Sequence, residues 1–333
     1  MIRTEVAGAD VCGATVDSII KKVSFMAQKT QFKGILLLLI TAIIWGSSFV
    51  SQSIGMNNVS AFTFMGVRTV LGATFLLPFI LVRGHFEKKK LNELELAERK
   101  IQNRRTLFYG IILGLVLCIA TNFQQFAFYY STAGKIAFIT ASYMFFVPVA
   151  GVLFLKKKYS FVTWICVALG FTGLYFLSFK TNSFGSLNRG DVLTFICSIF
   201  FCVQILMIER FSAVCDGVKL SCVEFYTAGI ISCILMFVFE KPEWASIKAA
   251  AFPILYSGIM SCGIAYTLQI VGQKYCEATI ASLIMCMESV FAVITSAIIL
   301  GERLTLREGT GCALMFFAIV ISQVWDIIKR KKA

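Results

Sequence analysis

The chain has 333 residues, 58% of them hydrophobic and only 15% charged, with 31 Lys and Arg against 18 Asp and Glu for a formal net charge of +13. A mean hydropathy of +0.81 excludes a water-soluble domain, whose helices need polar faces that this composition cannot supply. The charges are also segregated, since no Asp, Glu, Lys or Arg occurs in 34–67, 106–134, 159–179, 192–208, 225–239, 249–273 or 309–325. Crossing a bilayer takes roughly 20 apolar residues at about 1.5 Å each. The chain therefore reads as an all-α polytopic membrane protein whose first partner is the lipid bilayer.

Ten spans are expected, near 34–54, 61–82, 106–129, 132–155, 160–179, 190–208, 219–239, 249–272, 277–299 and 305–325. Irregular backbone is costly in lipid, so each should be a helix. Before them, residues 1–32 form a tail with no continuous apolar core ahead of Lys21, which does not fit a signal peptide; 15–26 fits a short amphipathic surface helix. The charged stretch 83–105 reads as a solvated loop. The block 249–299 is divided by Lys274 and Glu277 into two helices joined by a tight turn.

Residues 124–160 are echoed by 269–305 at a constant offset of 145. Gln124 falls on Gln269, Tyr130 on Tyr275, Ala133 on Ala278, Ile139 on Ile284, Phe146 on Phe291 and Leu155 on Leu300. A helix–turn–helix repeated within the membrane points to two similar halves, here 33–180 and 187–326, followed by a basic tail at 327–333. Transporters are commonly built so. Lys and Arg concentrate in the tails, in 83–105, in 156–158 and at Arg210, Lys219 and Lys274, while the other side holds Lys180, Arg189, Lys241, Lys248, Arg303 and Arg307. The positive-inside bias puts both termini in the cytoplasm of a cell membrane. It also accounts for the net charge without nucleic acid. Five spans per half then make the repeat inverted.

Ionisable groups within a span are costly and are candidates for function. Glu288 is the twelfth residue of span nine, roughly 17 Å deep, and its repeat counterpart is Tyr143. The two suit a pair lining a central cavity, where the Glu takes up a proton or a substrate amine; the plainer alternative is a neutral Glu packing against a neighbouring helix. Arg68 in span two offers a planar fork for a carboxylate or phosphate, or else a structural lock. Lys135 lies one turn into span four, from where its stem is expected to snorkel to the outer surface. Glu209 and Glu224 lie near the cytoplasmic ends of spans six and seven, where interfacial solvation accounts for them and a gate role is the alternative.

Uncharged polar residues form a second set. Asn122, Gln124 and Gln125 cluster in span three, and Tyr266 and Gln269 occupy the matching stretch of span eight. They serve either helix-to-helix hydrogen bonding or a polar path. Trp45 heads a Trp-Gly-Ser-Ser-Phe run in span one; its small residues permit close helix approach and its indole suits an apolar or aromatic ligand. Pro148 should free a carbonyl near Tyr143, which its counterpart Val293 does not. The twelve cysteines contain no Cys-x-x-Cys and lie mostly inside spans as soft packing residues. The single histidine, His85, lies in the 83–105 stretch, so a metal site is not expected.

Three stretches resemble the EamA-type transporters of the drug/metabolite transporter superfamily. They are Ala42-Ile-Ile-Trp45-Gly46-Ser-Ser-Phe49, Thr132-Ala-Gly134-Lys135-Ile-Ala-Phe-Ile139 leading to Tyr143 and Pro148, and Ala281-Ser282-Leu283-Ile284 through Glu288 to Gly301-Glu302-Arg303-Leu304-Thr305. The resemblance implies ten helices in two inverted five-helix repeats around a central cavity, and export or exchange of small metabolites, often amino acids, without ATP hydrolysis. That agrees with the absence of any Gly-x-x-x-x-Gly-Lys-Ser/Thr sequence, and no cofactor is expected. Carried over by residue, the midplane Glu of span nine is Glu288 and the aromatic of span one is Trp45. The family usually has Pro directly after that Glu, where this chain has Ser289.

The expected function is thus a secondary transporter of a small organic solute, with Glu288, Tyr143, Arg68, Trp45, Gln124, Gln269, Tyr266 and Asn122 as candidate substrate contacts and a proton as a possible coupled ion. A sugar-phosphate or nucleotide-sugar exchanger of the same fold would want several converging cations, and the spans offer Arg68 and Lys135. A non-transporting scaffold would not need a buried Glu. An intramembrane enzyme is disfavoured: the five aspartates (Asp10, Asp17, Asp191, Asp216, Asp326) lie in tails, loops or ends, and no span holds a histidine.

Overall fold

The computed structural model describes residues 31–88, 93–178, 188–300 and 305–332. The surface helix expected at 15–26, Lys180, and the Gly301–Leu304 part of the third stretch of resemblance lie outside these residues. The described chain is helical with short connections. Span one is α1 (Gln31–Gly55). It is followed by α2 (Ala61–Lys88), α3 (Glu93–Ala127), α4 (Ala133–Ala141), α5 (Tyr143–Leu155) and α6 (Phe161–Ser178). The second half runs α7 (Arg189–Phe211), α8 (Gly217–Phe239), the short α9 (Trp244–Ala249) and α10 (Ala251–Leu255), a π-helical segment (Tyr256–Ala265), α11 (Tyr266–Gln273), α12 (Ala278–Met285), α13 (Glu288–Leu300) and α14 (Leu306–Lys332).

Eight of the ten expected spans are helices long and apolar enough to cross a bilayer, and α6 and α14 carry the shorter apolar stretches Phe161–Phe176 and Gly309–Ser322. The protein is an all-α multi-pass membrane protein. The expected 83–105 loop is corrected: α2 continues to Lys88 and α3 starts at Glu93, so the charged residues there extend two helices beyond the membrane. Past the apolar core a charged side chain carries no burial cost, and Arg83 there pairs with Asp216 at 3.2 Å.

Packing couples the halves. Helix α6 lies along α14, α2 along α8, and α3 against both α7 and α8. Spans four and nine are each interrupted in mid-membrane, between α4 and α5 at Ser142 and between α12 and α13 at Cys286 and Met287, so the 145-residue offset carries over to the interruption. At both places the backbone tightens to three-residue hydrogen bonds, Ser142 N–H to Ile139 O at 3.2 Å and Met287 N–H to Ile284 O at 3.2 Å. Pro148 lies beyond the interruption, inside α5. The interruption recurs in span nine, where no proline stands, and Tyr143 and Glu288 are each the first residue beyond it.

Span eight departs from the α-helix through its ten-residue π segment. Helix α1 supplies the polar groups that stitch this stretch down. Thr41 Oγ1 donates to Ala265 O at 3.0 Å, Ser51 Oγ to Pro253 O at 3.2 Å, and Ser47 shares a hydrogen bond with the Tyr256 hydroxyl. On its opposite side α1 meets α13 through Gly46, where a Cβ would lie 2.7 Å from both Glu288 O and Ala292 N. Backbones this close are the packing that small residues allow in lipid.

Both ends of the bundle are tied across the halves. At the end where α1 begins, Glu209 of α7 binds Lys157 Nζ through both oxygens (2.8 and 2.6 Å) and accepts the Ala278 N–H of α12 at 3.0 Å. Lys156, in the left-handed region at φ 50°, caps α5 just before Lys157. At the other end, Lys135 Nζ binds Asp191 Oδ2 at 2.7 Å, and Asp191 completes a capping box with Asn188. Glu240 there accepts the Phe62 and Thr63 N–H groups of α2 at 2.9 and 2.8 Å. Lys135, half-exposed at that end, is held by Asp191. One expectation is corrected: Glu209 is engaged by protein donors and not by solvation alone, because a helix end brings a partner within reach.

Gly46→Ala is expected to lower the unfolding midpoint in detergent, at a cost on the order of 1–3 kcal/mol, while Gly134→Ala, with nothing within 4 Å of its Cβ position, should not. Equal melting of the two variants would refute the close α1–α13 contact. Lys156→Gly is expected to raise the same midpoint by relieving about 1 kcal/mol of left-handed strain, provided that the Lys157 ion pair survives; a lowered midpoint would mean that the Lys156 side chain itself contributes.

Candidate functional site

The two interruptions face each other. Beyond them the Tyr143 hydroxyl donates to Glu288 Oε1 at 3.1 Å, joining residues 145 apart in sequence. Both side chains are buried, at 2% and 3% exposure. A three-residue turn at the end of α4 and of α12 redirects the next side chain, so each interruption aims its residue at the other half.

This pair lines a cavity with Trp45, Gln52, Arg68, Gln124, Tyr266 and Gln269. Trp45, Ser48, Phe49 and Gln52 come from one face of α1 at helical spacing, Arg68 from α2, Gln124 from α3 and Thr140 from the last turn of α4. Phe201 and Ile205 of α7, and Ser261 of the π segment, complete the wall. The extra residue per turn of a π-helix rotates the helix beyond it, and such segments recur where a helix must aim side chains at a site. The cavity volume is about 20 Å³, room for roughly one water molecule.

The electrostatics are unbalanced. Arg68 is 2% exposed, and its Nε and Nη1 have no hydrogen-bond partner in the protein. Its guanidinium carbon lies 5.5 Å from the centre of the Phe64 ring, a contact that holds the cation without satisfying its N–H groups. Among the described residues no ion pair within 4.0 Å joins Arg68 to Glu288. Trp45 Nε1, Gln52 Oε1 and both amide atoms of Gln269 are likewise buried without partners. Gln124 is held by Nε2 donation to Thr140 Oγ1 at 3.1 Å. The rings of Trp45 and Tyr266 lie 4.5 Å apart, and Phe225 meets Tyr266 edge-on at 5.3 Å. Chemically the cavity offers one cation, one carboxyl group, several uncommitted amide and N–H groups, and an aromatic wall.

Of the residues singled out from sequence, Glu288, Tyr143, Arg68, Trp45, Gln124, Gln269 and Tyr266 meet around this cavity. Asn122 does not line it. Its Nδ2 donates to Cys118 O at 2.8 Å and to Ser232 Oγ of α8 at 2.9 Å, because two helical positions before Gln124 put it on a different side of α3. Gln52, Ser48 and Thr140 were missed. The spacing Trp45, Ser48, Phe49, Gln52 (i, i+3, i+4, i+7) was the signal for the first two. Glu224 requires a larger correction: it is fully buried and accepts a hydrogen bond from Gln204 Nε2 at 2.7 Å. Solvation at the membrane interface does not describe it.

Comparison with known proteins agrees with this architecture. The chain is 28% identical over 306 residues to an uncharacterized transporter of Archaeoglobus fulgidus, covering 90% of this chain and 91% of that one. It is 21% identical to the uncharacterized transporter YoaV of Bacillus subtilis, with 87% and 96% covered. It is also 25% identical to the uncharacterized inner membrane transporter YedA of Escherichia coli K12, with 84% and 87% covered. A solved crystal structure at 14% identity superposes with a TM-score of 0.70, covering 88% of this chain and 96% of the other, a likeness of fold. The model of the EamA-like transporter family matches twice, over residues 32–179 and 188–323, and the chain belongs to that family of membrane transporters.

Proposed function

We propose that this transporter exports or exchanges a small zwitterionic metabolite, an amino acid or a close relative, by alternating access around the Tyr143–Glu288 cavity. The observation that carries the reading is the unsatisfied Arg68 guanidinium in the same cavity as Glu288, with no ion pair between them. A solute carboxylate supplies the planar partner that Arg68 lacks, and its amine meets Glu288. In the absence of the amine, a proton takes its place on Glu288. Trp45 and Tyr266 give the side chain of the solute an apolar surface.

Room for about one water molecule does not hold an amino acid, so the cavity must widen when either end opens. The cross-half ties are the natural gates: Lys157, Glu209 and the Ala278 N–H at one end, and Lys135–Asp191 with Glu240 on α2 at the other. Opening one end while the other stays tied is alternating access. The Lys and Arg distribution supports an orientation with both termini in the cytoplasm, which makes the Glu209 tie the cytoplasmic gate. The sugar-phosphate reading finds less support, because Lys135 is committed to Asp191 and Arg68 is the one cation lining the cavity.

The test is counterflow into liposomes loaded in turn with amino acids, amines and sugar phosphates. Amino acids are expected to accumulate. Arg68→Met should weaken their apparent affinity by about 10- to 100-fold, the worth of a charge-assisted hydrogen bond of roughly 1.5–3 kcal/mol, and leave amines without a carboxylate unaffected. Glu288→Gln should weaken the pH dependence of exchange. Accumulation of sugar phosphates alone, or amino-acid transport indifferent to both substitutions, would overturn the assignment.

A further inference from the structure

A second carboxyl group lies inside the membrane, away from the cavity lining. Glu224, eighth residue of α8, and Gln204, sixteenth of α7, are both 0% exposed. Gln204 Nε2 donates to Glu224 Oε1 at 2.7 Å, while the other oxygen of each side chain, Glu224 Oε2 and Gln204 Oε1, has no partner. No ion pair within 4.0 Å among the described residues includes Glu224. From α3 it is faced by Gly114, whose Cβ position meets Glu224 O, and from span eight by Tyr266 and Cys262. Arg68 of α2 lies near those same two groups, and the Gln204 amide is the hydrogen-bond donor to Glu224.

Each side chain of this hydrogen-bonded pair thus keeps one oxygen without a donor. A bare carboxylate here would be a buried charge without a cation, beside an amide oxygen that repels it. A single proton on Glu224 Oε2 changes both oxygens at once, since the new O–H donates to Gln204 Oε1 and closes a ring of two hydrogen bonds between acid and amide. A metal cation does not fit, because it would want about six oxygen ligands and this pair offers two. We propose that Glu224, clasped by Gln204, is a second proton-binding site of this transporter, distinct from Glu288.

The site is wired to the cavity through α7. The residue after Gln204 is Ile205, whose carbonyl accepts Gln273 Nε2 of α11 at 3.0 Å and whose side chain lines the cavity with Phe201. Loss of the proton breaks one of the two bonds of the clasp and turns Gln204 on the helix that carries this wall. The proposal does not depend on which solute the cavity takes.

Infrared difference spectroscopy of the purified protein in lipid nanodiscs at neutral pH tests it without any solute. A carbonyl stretch of a protonated carboxylic acid is expected to disappear in Glu224→Gln and to survive in Glu288→Gln. Gln204→Leu keeps the acid but removes its amide partner, and is expected to move the same band to higher frequency. A loss in Glu224→Gln confined to carboxylate stretches, or no acid band beyond the one that Glu288→Gln removes, overturns the proposal and leaves the transport reading standing.

Discussion

The hydrogen bond from Tyr143 to Glu288 joins the two halves of the chain at the one depth where neither side chain has water to turn to. Its geometry depends on the matched interruptions of spans four and nine, because an unbroken helix would carry both residues on past each other. Those interruptions stand only because neighbours brace them. Gly46 lets α1 lie against the Glu288 carbonyl, and Ser289 Oγ donates to Ala137 O of α4 at 3.1 Å. Remove the close approach of these helices and the pair has no fixed separation.

The same constraint, that a polar group in lipid must be satisfied within the protein, sets apart two groups among the buried polar side chains. Thr41, Ser47, Ser51, Asn122 and Gln124 have partners on another helix or span and act as stitching. Arg68, Gln269, Gln52 and Trp45 keep donors or acceptors unmet at the cavity wall. Unmet groups cost stability, and a fold that tolerates several of them around one space is organised for something that enters it. The ion pairs at the two ends tie the halves together on either side of that space.

Glu224 and Gln204 add a third kind, a partnered pair left one bond short. Their place beside Ile205 and Phe201 links that incomplete pair to the cavity wall through a single helix. Among the described residues, two carboxyl groups, on α8 and α13, are thus buried without an ion pair, each with one neutral donor.

The sequence by itself determined the ten apolar spans, the two-fold echo at 145 residues and half of the residues that line the central cavity, since hydropathy and helical depth are one-dimensional properties. Glu288 and Tyr143 could be matched by offset alone, and Arg68 stood out as a cation without a loop to live in. Which way a helix turns a residue is not one-dimensional. Asn122 bonds to α8 instead of lining the cavity, because the phase of a helix relative to its neighbours is set by packing. Glu224 and Glu209 were taken for solvated ends because distance from a helix terminus says nothing about what another helix brings over it. The interruption of span nine without a proline, and the π segment of span eight that aims Ser261 and Tyr266, came only with the tertiary structure. Both are held by contacts with α1, α2 and α4 rather than by any residue's own preference.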